Sequence, residues 1–284
     1  MELPLLEDDR HERGVIEPSR EIAPVDMPEA VVLCFFGDVV STVSARPDAV
    51  RRLGLRWEHG EHALYEVPVE GRRLGVLQLG VGAPVAAGLL EELIASGGRT
   101  FVAVGGAGAL VPDLALGHAL VVRAALRDEG TSLHYLPPSR VIEADPEGIA
   151  VLESVLADEG VPSRSVLTWT TDAPYRETRS RVDRRVAEGC EAVEMEAAAL
   201  LAVARFRQVR MAHLLYAGDC LAGAEWDERD WTTATAVRHR LFDVAARACL
   251  AWSEAVAPSV DVRHAPAAQL TLPEEPQPSV SVGP

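Results

Sequence analysis

Two glutamates separated by one residue open an apolar stretch. In Glu191–Phe206, EAVEMEAAALLAVARF, Glu194 and Glu196 flank Met195, and an Ala/Leu-rich helical pattern with almost no polar face follows. A carboxylate in such surroundings needs partners, because burying it alone costs several kcal/mol. Paired sugar hydroxyls are one class of partner, since one carboxylate accepts two O–H bonds. A helix N-terminus is the other, since its dipole favours acidic side chains with or without a ligand. The residues alone leave both open.

A second set of features recurs where apolar runs end. VVLCFF runs into Gly37-Asp38, LGVLQL into Gly80-Val81-Gly82-Ala83-Pro84, FVAV into Gly105-Gly106-Ala107-Gly108, and HLLYA into Gly218-Asp219. In open α/β sheets ligands bind beyond the C-terminal ends of strands, and glycine there lets backbone N–H groups approach a ligand. Glycine also commonly ends strands for purely structural reasons, so each turn is weak by itself. GVGAP lacks the third glycine of a dinucleotide-binding turn, and a chain without lysine has no Walker loop.

The elements that must position these residues follow from periodicity. Near-continuous apolar runs predict strands, buried on both faces, at Val31–Phe36, Leu74–Leu79, Thr100–Val104, His118–Leu126, Ser165–Thr170 and Met211–Ala217. Helical patterns fall at Pro84–Ser96, Pro146–Glu159, Thr178–Glu188, Met195–Arg207 and Trp231–Val256. Pro84 suits a first helical turn, and Gly97-Gly98 suits its end. Strands alternating with helices predict a single-domain, three-layer α/β/α fold with a largely parallel sheet. That domain is expected over residues 29–256, after a charged, proline-punctuated arm at 1–28 and before a disordered Pro-rich tail at 257–284.

Composition narrows the function classes. With 284 residues and 48% hydrophobic side chains, the chain can bury a sizeable core. Its net charge is −16, from 43 acidic and 27 basic residues, which disfavours nucleic acid and anionic membrane surfaces as partners. All 27 basic residues are arginine, and asparagine is absent too, so lysine Schiff-base chemistry and N-glycosylation are excluded. Cys34, Cys190, Cys220 and Cys249 lie far apart with no CxxC pair, which fits reduced core thiols rather than disulfides or a metal site. No apolar run approaches the roughly 20 residues of a membrane span, and the charged N-terminal stretch has no apolar signal core. A soluble cytoplasmic protein is expected.

AVEMEAAAL resembles the ribose-binding signature of the nucleoside phosphorylase superfamily, in its uridine-phosphorylase-like hexameric branch. GDVV resembles the first phosphate turn of that family, and GVGAPVAAGLLEELIASGGRTFVAVGGAGAL resembles its second glycine turn, helix and strand. RDEGTSLHYLPP, TTDAPYRET and YAGDCLAG resemble later loops in the same order, so the likeness covers roughly residues 15–255. The resemblance implies a twisted mixed sheet flanked by helices and a homo-oligomer, a hexamer or dimer. It implies that Glu196 binds the ribose 2′- and 3′-hydroxyls, that Met195 packs under the sugar and that Glu194 supports that geometry. Asp219 takes the position of the acid that contacts the departing base, although Gly218 replaces the usual preceding serine. Arg176 falls in a base-contacting loop, and Gly37, Asp38, Gly105 and Gly106 fall in the phosphate turns.

The chain departs from the family where phosphate binds. The three positions at which the resemblance implies phosphate-binding arginines hold Ser41, Ala103 and Gly60, and Gly106 stands for the usual Thr or Ser. Charge-assisted bonds to phosphate are each worth about 1.5–3 kcal/mol. The expectation is therefore cleavage of a nucleoside N-glycosidic bond without a cofactor or metal, with Asp219 and Glu196 catalytic. Phosphate is the acceptor by family default, and its missing arginines tilt the choice slightly toward water. The alternative is a nucleoside-binding protein with lost or reassigned catalysis.

Overall fold

The structure, a computed structural model, describes residues 3–255. The tail expected at 257–284 lies outside the described residues. The elements run β1 (Ala30–Cys34), β2 (Val50–Trp57), β3 (Gly60–Val69), β4 (Arg72–Gln78), β5 (Thr100–Ala109), β6 (Ala119–Asp128), β7 (Val141–Glu143), β8 (Ser163–Thr171), β9 (Cys190–Glu194) and β10 (Arg210–Cys220). The helices between them are α1 (Pro18–Glu21), α2 (Gly37–Ser44), α3 (Ala83–Ser96), α4 (Pro146–Asp158), α5 (Arg179–Ala187), α6 (Ala197–Arg207) and α7 (Thr235–Glu254).

β1 lies between β4 and β5 and is parallel to both. Every residue of β1 is buried, because successive side chains point to opposite faces and both faces are covered. Val31 and Leu33 pack with α3 and α6, while Ala30, Val32 and Cys34 pack with α2, α4 and α7. This is the expected three-layer arrangement. All four cysteines are free and buried.

The sheet is more mixed than the apolar runs alone suggested. β3 runs antiparallel to β4, and β2 to β3, as an edge hairpin. On the other side β5 pairs with β10 in parallel, β10 with β6 antiparallel, and β6 with β8 and β8 with β9 in parallel. β9 then returns to β5, where Gly108 pairs with Val193. Strands β5, β10, β6, β8 and β9 therefore form a closed ring, from which the flat part of the sheet branches.

Several segments differ from expectation for identifiable reasons. The β2–β3 hairpin was not anticipated: its strands are half-exposed and carry Arg and Glu at many positions, which hides the alternation. The stretch Gly105–Gly108 is no turn, since β5 continues through it to Ala109, and β10 likewise continues through Gly218-Asp219. Glycine in a strand marks close approach rather than termination here: a Cβ on Gly105 would lie 2.9 Å from the Phe35 ring. The segment read as a continuous helix from Met195 begins at Ala197, and Cys190–Glu194 before it is a strand.

The lead-in segment is held by charge. Arg207, at the end of α6, donates to Glu91 on α3 at 2.7 Å and to Glu17 at 2.9 Å, and both carboxylates are buried. Removing the guanidinium leaves two uncompensated carboxylates. Arg207→Met is expected to destabilise the fold by about 3 kcal/mol, read as a lower urea midpoint with an unchanged slope.

Candidate functional site

The C-terminal parts of β1, β5, β9 and β10 surround a cavity of about 460 Å³. Its wall includes Gly37, Gly106, Glu194, Met195, Glu196 and Asp219, six of the positions singled out in the sequence.

The two glutamates have different surroundings. Glu194, at the end of β9, accepts the backbone N–H of Glu196 at 2.7 Å, that of Ala197 at 2.6 Å and the Thr170 hydroxyl at 2.6 Å. Thr170 in turn accepts the Ala198 N–H at 3.0 Å. Together they satisfy orphan donors at the start of α6, so Glu194 answers to the helix. Glu196 differs. Its carboxylate accepts the Gly82 N–H at 2.5 Å and lines the cavity. Gly82 can present that N–H because its φ is 105°, a conformation that side chains other than glycine rarely adopt.

Burial raises the pKa of both carboxyls. Glu194 has the donors and the helix dipole to hold its charge. Glu196 is pushed up to about 8, first by burial and then by the Glu194 charge. The sixfold agreement between sequence and cavity wall ends at the other candidates. Gly105 is buried behind Phe35 and does not reach the cavity. Asp38 lies outside it, and its carboxylate faces Arg238 at 3.3 Å.

Arg176 is exposed and does not line the cavity; its neighbour Glu177 does. The reason is local. Pro174–Arg176 forms a 3₁₀ turn, in which residues three apart share a face, so Pro174 and Glu177 face inward together while Arg176 turns out. Burial, and then the Asp219 charge, push Glu177 up to about 7. Asp219 sits at an irregularity in β10 between Ala217 and Cys220, and accepts the Trp226 indole N–H at 2.6 Å.

Ser41 and Gly60 are exposed, Gly60 at the tip of the β2–β3 hairpin, and Ala103 is fully buried. Arg238, from α7, is the one cation in the cavity wall among the described residues. Besides its ion pair with Asp38 it donates to the Trp231 carbonyl at 2.9 Å and lies over the Phe36 and Trp231 rings. No spacing in the sequence pointed to it. His213 did have a signal, a polar residue inside the apolar run MAHLLYA. It is buried in the cavity wall, stacked on Phe35 with ring centroids 6.2 Å apart, and burial lowers its pKa to about 3. No group of three or more His, Cys, Asp or Glu able to hold a metal ion occurs among the described residues.

A buried carboxyl whose pKa is raised contributes stability below its unfolded value, near 4.5, and loses it as pH rises toward about 8. Glu196→Gln removes that loss. The variant is expected to be more stable than the parent at pH 8 by more than about 1 kcal/mol and nearly equal to it at pH 4.5, as checked by urea unfolding at both values.

The chain matches the family model of the Phosphorylase superfamily over residues 29–250. It is 31% identical over 153 residues to a uridine phosphorylase of Thermococcus kodakarensis, covering 51% of this chain and 55% of that protein. It is 32% identical over 153 residues to a guanosine phosphorylase of Halorubrum lacusprofundi, covering 54% and 64%. Both alignments thus span less than two thirds of the relative's length. In fold it is similar to a uridine phosphorylase from Vibrio fischeri (TM-score 0.68, 22% identity, 80% of this chain and 93% of that one). A purine nucleoside phosphorylase from Toxoplasma gondii in complex with immucillin-H is similar to the same degree (TM-score 0.68, 18% identity, 89% and 98%). With its fold, the order of its motifs and a family match across most of its length in agreement, this chain belongs to the phosphorylase superfamily.

Proposed function

We propose that this protein cleaves the N-glycosidic bond of a ribonucleoside or deoxyribonucleoside and transfers the sugar to water rather than to phosphate. The names of its relatives, uridine and guanosine phosphorylases, support a nucleoside as the substrate class. Glu196 would accept the sugar hydroxyls, with Met195 against the ring and Glu194 fixing both. Asp219 and Glu177 would face the base: the carboxyl of Glu177 is partly protonated near neutral pH and can supply the leaving nitrogen with a proton.

The observation that carries the choice of water is the cavity's charge. Glu177, Glu194, Glu196 and Asp219 line it, against the single guanidinium of Arg238, whose bonds already go to Asp38 and the Trp231 carbonyl. A dianion entering this wall meets acidic groups and no uncommitted cation, while a cationic, oxocarbenium-like transition state is stabilised by the Glu194 carboxylate; Glu177 acts in its neutral form and adds no charge.

Two measurements test this. Base release from a panel of common ribo- and deoxyribonucleosides is expected to proceed without phosphate, yielding free sugar, and to change less than about 2-fold when a few millimolar phosphate is added. Sugar 1-phosphate as the product would overturn the choice of water, and binding without any release would favour a nucleoside-binding protein. The rate is also expected to fall as pH rises above about 7, where Glu177 loses its proton, and Glu177→Gln should remove that limb of the profile together with at least about 10-fold in kcat.

A further inference from the structure

On the reading above, in which Asp219 faces the base, we infer that Trp226 is the positioning residue of that acid: its indole N–H takes one carboxylate oxygen and leaves the other for the base. The two oxygens have separate surroundings. Oδ2 accepts the indole N–H at 2.6 Å. Oδ1 lies over Gly108, 3.4 Å from where a Cβ on that residue would stand, and Gly108 lines the cavity together with Asp219. Trp226 is not part of the cavity wall, so it acts on a bound nucleoside through Asp219.

The acid needs such a hold. Asp219 lies where the register between β10 and β5 slips, so the pleat of the strand does not fix the direction of its side chain. Gly218 before it has no side chain to brace it. The chain supplies the hold by folding back. Cys220 and Asp227 exchange both backbone hydrogen bonds, at 2.8 and 3.0 Å, in an antiparallel bridge. Residues next to such a pair share the opposite face. Asp219 and Trp226 therefore stand diagonally on one side of the bridge, within reach of a side chain as long as tryptophan.

Two arginines keep this hairpin in place. Arg179, at the start of α5, donates to the carbonyls of Leu221, at 2.8 Å, and Gly223. Arg229 donates to the Leu114 carbonyl at 2.6 Å and pairs with Asp227 at 3.5 Å. Arg229 and Asp230, with φ of 52° and 49°, are left-handed without being glycine, and such backbone persists only where surrounding contacts hold it.

The chemistry of the indole decides what it fixes. It is a donor only, so it bonds an oxygen through its lone pairs and offers nothing to a carboxyl O–H. At Oδ2 Asp219 is thereby kept an acceptor, and Oδ1 is left to accept an N–H of the base. The proton for the leaving nitrogen then falls to Glu177, in the same wall.

Trp226→Phe keeps a ring and removes the N–H, while Trp226→His keeps a ring N–H. With the nucleoside that the wild-type protein cleaves fastest, the Phe variant is expected to lose about 10-fold in kcat/KM, the size of one hydrogen bond to a charged group reduced by exposure. The His variant should stay within about 3-fold of wild type. Trp226 is 60% exposed, so the Tm of both should stay within about 2 °C of the parent. The deciding readout is the cycle with Asp219→Ala. If Trp226 acts through the carboxylate, adding Trp226→Phe to Asp219→Ala costs less than about 2-fold more, whereas an independent structural role multiplies the two losses. By NMR, the Trp226 indole proton, identified among the five tryptophans by its absence from the Phe variant, should move upfield in Asp219→Ala. A Phe variant within about 2-fold of wild type, losses that multiply, or an unmoved indole resonance overturns the inference while leaving nucleoside cleavage standing. A fully active Asp219→Ala variant overturns it together with the role of the acid. No base release from any nucleoside overturns the catalytic reading and this inference with it. A sugar 1-phosphate product overturns only the choice of water, and the same cycle with phosphate present still decides on Trp226.

Discussion

The carboxylate of Glu194 is the constraint on which the site depends. It is buried with no cation against it among the described residues, and it is held by the N–H groups of Glu196 and Ala197, by Thr170 and, at 3.4 Å, by Thr168. Those donors come from β8 and from the start of α6, so one charge ties two strands and a helix into a fixed relation. α6 has no freedom to compensate for a shift. Its residues from Ala197 to Ala204 are buried throughout, and sliding it would strand the charge as well as open the core. The backbone between β9 and α6 is consequently pinned, and Met195 and Glu196 stand in the cavity wall because of it.

The same residues set the electrostatic character of the cavity. Its wall carries four carboxyl groups against one guanidinium among the described residues. Arg238 does not restore the balance, because Asp38 has already claimed its charge. Its visible work is mechanical. It joins α7 to the turn around Trp231 and to the ring of Phe36, closing one side of the cavity.

Much of this was legible in the sequence, and the limits have physical causes. Doubly buried strands announce themselves as apolar runs, and helix α3 carries its own signals in Pro84 and Gly97. The half-exposed hairpin at the sheet edge does not, because its charged residues mask a period of two. Glu194 and Glu196 were visible as misfits in apolar company, and the resemblance gave them different roles, but the packing that separates them was not legible. It depends on Gly82 and Thr170, which lie 114 and 24 residues away in the chain. Arg176 and Glu177 differ in facing within one short turn, a distinction that residue types do not carry. Arg238 left no trace in spacing at all, since its role is fixed by where α7 lands on the sheet.

The closed ring of β5, β10, β6, β8 and β9 has a consequence for how this molecule could diversify. Each strand of the ring is hydrogen-bonded on both sides, so the part of the cavity that those strands form is one continuous, stiff unit. The segments bearing Pro174–Glu177 and Trp226–Trp231 stand outside the ladders and meet the cavity near Asp219. Substitutions in these two connecting segments can therefore reshape that end of the cavity without disturbing the wall that β9 and the start of α6 hold at the other.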